Sequence, residues 1–167
     1  MSIAENLLPE FDQEMANTRR LLAVVPAADA EWRPHPKSYT LGDLAAHIAT
    51  IPVWCRYTLQ QDELDLGSPD TATIPRVKFA TGAELLEQFD RHVREARASL
   101  AAASDGDMGK PWTLRNGATT VFSLPRAAVL RGFVLSHMIH HRGQLTVYLR
   151  LRDVPLPAIY GRTADSG

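Results

Sequence analysis

The sequence predicts an all-α fold: a four-helix bundle with a short β-hairpin or irregular insertion between the third and fourth helices. Three observations carry this reading. Capping-box spacing, in which Ser or Thr precedes an acid by three residues, occurs at Ser2…Glu5, Thr40…Asp43 and Thr81…Glu84. Each opens a stretch of about twenty residues whose apolar positions recur at helical spacing. A fourth periodic run begins near Pro125, a residue suited to a first helical turn, and stops before Val154-Pro155.

The elements follow in order. Helix 1 is expected from about residue 3 to Val24, ending before Pro26, with Leu7, Leu8, Phe11, Met15, Thr18 and Leu22 facing inward. Helix 2 is expected from about Leu41 to Gln61, kinked at Pro52 because proline removes a backbone donor. A surface loop is expected over Asp65–Pro75. Helix 3, from about Gly82 to Ala102, carries Leu85, Phe89, Val93, Ala96 and Leu100 on one stripe. Between helices 3 and 4, Trp112–Arg115 and Thr119–Phe122 flank Asn116-Gly117, the turn signal of a tight hairpin.

Composition narrows the function classes. A chain of 167 residues suits a single domain, residues 1–167, with a proper core. A net charge of −1 without a dense basic cluster argues against nucleic-acid binding. Arg dominates the cations, with Lys only at positions 37, 78 and 110, a bias typical of GC-rich genomes. The single cysteine, Cys55, excludes an internal disulfide or a Cys-based zinc site, and it lies off the inward stripe of helix 2, which assigns it to packing. Acids near the N-terminus do not suit a signal peptide, and no apolar run reaches the ~18 residues of a membrane span. The expected location is cytoplasmic.

The chemistry concentrates in His137-Met138-Ile139-His140-His141-Arg142-Gly143-Gln144. His137 and His141 are four residues apart, so on a helix they occupy one face. The inner stripe of helix 4 runs from Leu130 through Val134, His137, His141, Leu145 and Tyr148. Two imidazoles on that stripe need partners, because an unpartnered buried polar group costs about 1–3 kcal/mol. His47 shares the stripe of Leu44, Ile51 and Trp54 on helix 2. His35 sits in a proline-flanked loop, His140 is rotated off the stripe, and His92, between Arg91 and Arg94, reads as solvent-facing. Taken singly, each inward histidine could be an ordinary hydrogen-bonded core residue. Three of them on two helices favour a divalent metal held by His47, His137 and His141, with a position left for water. Asp43 could join them but is expected to serve the helix cap. Gln144 lies on the histidine face and could orient water or a ligand, whereas Arg142 points elsewhere and could hold the bundle or a dimer by a salt bridge. Trp54 and Tyr57 could line the pocket or simply fill the core.

These residues resemble the DinB/YfiT-like family of four-helix bundles. The likeness covers most of the chain. It rests on Trp32-Arg33-Pro34, Ser38, the run Leu41–Ile48, the His137-x-x-x-His141-Arg142-Gly143-Gln144 motif and the tail Val154–Gly161. The tail departs from the frequent Tyr-Gly-Pro pattern, with Arg162 in the proline place. The resemblance implies one divalent metal on the three histidines (Zn, Ni or Fe), a homodimer, and, in some branches, thiol-dependent chemistry such as bacillithiol S-transfer or mycothiol-dependent maleylpyruvate isomerisation. The expected function is therefore a metal-dependent enzyme, first a low-molecular-weight-thiol S-transferase, with mycothiol favoured by the GC-rich composition. The alternatives are a non-catalytic small-molecule-binding or stress-response module, and a metal that only ties helix 2 to helix 4.

Overall fold

Thr40 and Thr81 each place a side-chain oxygen on the backbone N–H three residues ahead, at 3.0 and 3.1 Å, and so start two of the helices. Ser2 makes the reciprocal capping box with Glu5. The computed structural model describes residues 2–68 and 77–166. Within them α1 spans Ile3–Leu22, α2 Leu41–Thr50, α3 Val53–Gln60, α4 Gly82–Ala102, α5 Asp105–Gly109, α6 Arg126–Val129 and α7 His137–Leu151. A 3₁₀ turn at Ala27–Asp29 links α1 to the loop before α2. Strands β1 (Glu63–Asp65), β2 (Pro111–Asn116) and β3 (Thr119–Pro125) complete the described residues.

Pro52 does more than kink helix 2: it divides it into α2 and α3. Proline offers no N–H to the Ile48 carbonyl, and the Ile51 N–H spans both the His47 and Ile48 carbonyls at 3.2 Å. The chain resumes with tighter bonds, Trp54 N–H to the Ile51 carbonyl and Cys55 N–H to that of Pro52, both 3.1 Å. The expected fourth helix is also subdivided. α6 leads through a π-helical turn at Leu130–Ser136 into α7, so the extra residue of that turn lies directly before His137.

α4 packs against α1, α2 and α3, and α7 against α1 and α2. Their apolar faces meet in a core that includes Phe11, Leu21, Leu22, Leu41, Leu44, Ile48, Leu85, Phe89, Leu145 and Leu149. Leu8 is only partly buried, while Glu14 and Asn17 are inside. The hairpin forms as expected, turning at Gly117 with φ +59°, where a side chain would be strained. It gains a parallel partner in β1, paired Glu63 to Thr113, so Asp65 is strand rather than loop. Residues 69–75 of the expected loop lie outside the described residues. Trp112 and Leu114 of β2 join Leu64 and Val129 in a second cluster, against which Trp54, Tyr57, Phe122 and Phe133 pack. That cluster seats the sheet beside the π-helical turn and the start of α7. No helix among the described residues is long and apolar enough to cross a membrane.

Candidate metal centre

α2 delivers His47 and α7 delivers His137 and His141 to one point. One ligand atom from each lies within 4.8 Å of the others. His47 and His137 approach through Nε2 atoms 3.3 Å apart. Two nitrogens each bound at about 2.1 Å to one tetrahedral cation would be about 3.4 Å apart, so this spacing fits a shared metal. The ring centroids are 4.5 Å apart for His47 and His141, 4.7 Å for His137 and His141, and 5.2 Å for His47 and His137.

Hydrogen bonds orient two of the rings. His137 Nδ1–H donates to the Phe133 carbonyl at 3.3 Å, and His141 Nδ1 meets Gln144 Oε1 at 2.7 Å. A neutral imidazole that donates through Nδ1 keeps its lone pair on Nε2, the atom a metal needs. Burial pushes the pKa of all three histidines down, and charge repulsion adds to it: from His141 and His137 at His47, from His141 and His140 at His137, and from His140 at His141. His47 falls to about 4. At neutral pH the cluster therefore presents uncharged donors, and among the described residues no carboxylate joins the group. The donor set suits a borderline transition metal better than Ca²⁺ or Mg²⁺, which take oxygen.

The other expected residues separate into two groups. Gln144 is beside the triad and fixes His141. Trp54 stands one ring away, edge-on to Phe133 at 5.1 Å, and Phe133 lies 5.4 Å from His137. Tyr57 packs against the sheet cluster and under Arg56, whose guanidinium is 5.4 Å from its ring centre. Arg142 turns away altogether: it is 2% exposed and ion-paired with Glu14 at 2.5 Å. Its Nη1 reaches the Glu14 carbonyl and Thr18 Oγ1, and its Nη2 reaches the Tyr160 hydroxyl. The Asp43 N–H serves the α2 cap. Cys55 is buried, with Sγ 3.5 Å from the Ala96 carbonyl, and burial drives its thiol up to about 12.

His92 corrects the sequence reading. It is 2% exposed rather than solvent-facing, and its Nδ1 donates to the Ala49 carbonyl at 2.8 Å. α4 lies against both α2 and α3 and turns His92 into that contact, while Arg91 and Arg94 beside it stay exposed. Two aromatic neighbours were not anticipated. Tyr39 stacks on His47 with centroids 5.7 Å apart and planes 18° apart, and it meets His141 edge-on at 6.4 Å. Phe133 comes from the π-helical turn. Neither carries a motif, since Tyr39 precedes the helix and an irregular turn has no periodicity to read. Arg162 is exposed and reaches the Ser166 carbonyl at 3.3 Å, and nothing in the structure explains its place in the tail.

Comparison with known proteins agrees with this architecture. None of the curated proteins matches the sequence. A DinB-like protein from Bacillus subtilis is similar in structure, with a TM-score of 0.69 at 18% identity, over 95% of this chain and 99% of that one. A DinB-like protein from Bacillus cereus gives a TM-score of 0.68 at 23% identity, over 93% and 97% of the two chains. These likenesses establish a DinB-like fold, mostly helical with a small three-stranded sheet. The sequence model of the DinB superfamily matches residues 10–145, and the chain belongs to that superfamily.

Proposed function

We propose that His47, His137 and His141 hold one divalent transition metal, of the Zn, Ni or Fe type, and that the protein is a low-molecular-weight-thiol S-transferase. The observation that carries this reading is the convergence of three neutral imidazoles without a carboxylate. When bound, such a cation keeps its full charge and lowers the pKa of a thiol or water beside it toward neutrality. The chain's own part is to hold the donors. Gln144 and the Phe133 carbonyl fix two imidazole orientations, and burial keeps His47 unprotonated. Cys55 takes no part as a nucleophile, because its thiol is buried and held far above neutral pH. A thiol nucleophile must therefore arrive as a small molecule, of mycothiol or bacillithiol type. The proposal extends to a single domain acting in the cytoplasm as a homodimer. Val147 and Leu151, exposed one turn apart on α7, supply an apolar surface for the partner copy.

Elemental analysis of tag-free wild type beside His47→Ala and His141→Ala tests the centre. About one metal per chain is expected in wild type and none in either variant. Turnover of a thiol with an electrophile, abolished by the same substitutions, separates the enzyme from a binding module that shows ligand-induced stabilisation without product. Wild-type protein that stays metal-free after reconstitution removes the proposal.

A further inference from the structure

Tyr39 is half exposed, yet it is not a free surface side chain. Its backbone is pinned on both sides. The Ser38 N–H bonds to the His35 carbonyl at 2.9 Å, the Leu41 N–H bonds to the Trp32 carbonyl at 2.8 Å, and buried Thr40 caps α2. The ring is thereby held nearly parallel to His47 and edge-on to His141. On the far side of the triad, Phe133 lies against His137 with Trp54 behind it. Two of the three imidazoles thus share one aromatic wall, and half of that wall's surface is left uncovered.

A half-covered ring beside a candidate metal centre offers its remaining surface to whatever binds there. Aromatic rings favour planar partners beyond simple area burial, in offset or edge-on geometry.

We propose that Tyr39 is a ligand-contacting, specificity-determining residue, which makes the centre favour a thiol or electrophile bearing a planar, conjugated group over a saturated one of equal size. This rests on the metal-site reading above. The aromatic contact is expected to give about a fivefold preference.

The test uses Co²⁺-loaded protein and two probes differing only in ring planarity, 2-phenylethanethiol and 2-cyclohexylethanethiol. Binding is followed by the sulfur-to-cobalt charge-transfer band. The cyclohexyl compound is the more hydrophobic, so simple partition would favour it. Wild type is expected to prefer the phenyl compound about fivefold. Tyr39→Phe should keep that preference, and Tyr39→Ala should lose it while taking up the same amount of Co²⁺. Retention of the preference in Tyr39→Ala overturns the proposal, as does its absence from wild type. Loss of Co²⁺ from Tyr39→Ala also overturns it, because the ring would then support His47 instead of meeting ligand. Wild type that takes up no Co²⁺ overturns the metal reading and this proposal together.

Discussion

His141 and Arg142 are adjacent on α7 and face two polar sites of opposite character. Around Arg142 every strong group is satisfied from within the protein: Glu14 neutralises its charge, and Thr18, the Glu14 carbonyl and Tyr160 take its donors. Tyr160 also donates to Glu14 at 2.7 Å, which ties the C-terminal tail to α1. Around His141 the imidazoles meet each other through one 3.3 Å approach, between the Nε2 atoms of His47 and His137, and they remain half-buried. A closed network stabilises; an open one of convergent donors could hold a metal ion. The HRG portion of the motif thus contributes to both: its histidine to the open site, its arginine to the closed one.

The comparison makes its largest claim on stability. Arg142→Ala strands the Glu14 carboxylate in the core, and breaking a buried pair from one side costs about 3–5 kcal/mol. The urea midpoint should fall accordingly with an unchanged slope. Arg142→Met combined with Glu14→Leu should recover most of the loss, because no charge is then left buried. A single variant as stable as wild type would mean that the pair is solvated and the network is not closed.

On the other face, His47→Ala should barely alter the metal-free protein at neutral pH and should abolish its response to metal. At a metal concentration a hundredfold above its dissociation constant, wild type should gain about 2.7 kcal/mol of stability. His47→Ala and His141→Ala should gain none. Equal stabilisation in the variants would place the metal elsewhere.

Gln144→Ala is the finer test. The residue touches His141 through Nδ1 and should leave the donor count intact. Loss of such an outer partner weakens metal affinity about 10–100-fold. Competition with a chelator measures it, and an unchanged affinity would show that Gln144 follows His141 rather than holding it.

The ease with which these sites could be read from sequence also differs. The triad was legible because its residue type is rare and its four-residue spacing on α7 fixes a common face. The helix starts were legible because Ser2, Thr40 and Thr81 act locally. So was the hairpin, for which Asn116-Gly117 is a short-range signal, although Asn116 ends β2 opposite Thr119 and the turn falls one residue later, at Gly117-Ala118. Arg142 and His92 were harder because burial is decided by a distant element. Glu14 lies 128 residues from Arg142, and the Ala49 carbonyl lies 43 residues from His92. Strand β1, three residues long and paired in parallel with β2, has no alternation of its own to read. Tyr39 reaches the triad only because the bonds around Ser38 and Leu41 fold its loop over α2.

Acid should separate the two faces by the smallest, and most specific, effect. Burial holds the His47 pKa near 4, below the ordinary 6.5, and lowers His137 and His141 as well. In the unfolded chain His47 takes up its proton below about 6.5, whereas in the fold it resists until the pH nears 4, and His137 and His141 are held back in the same direction. Their contribution to stability is thus complete above about 6.5 and declines as the pH falls through that window. Metal-free wild type should lose stability between pH 6.5 and 4, and His47→Ala should flatten part of that decline, because the alanine has no proton to gain. Denaturation midpoints across the range measure the difference. Parallel curves for the two proteins would mean that His47 titrates in the fold as it does in water, and the triad would then be an open surface cluster, not a sheltered donor set.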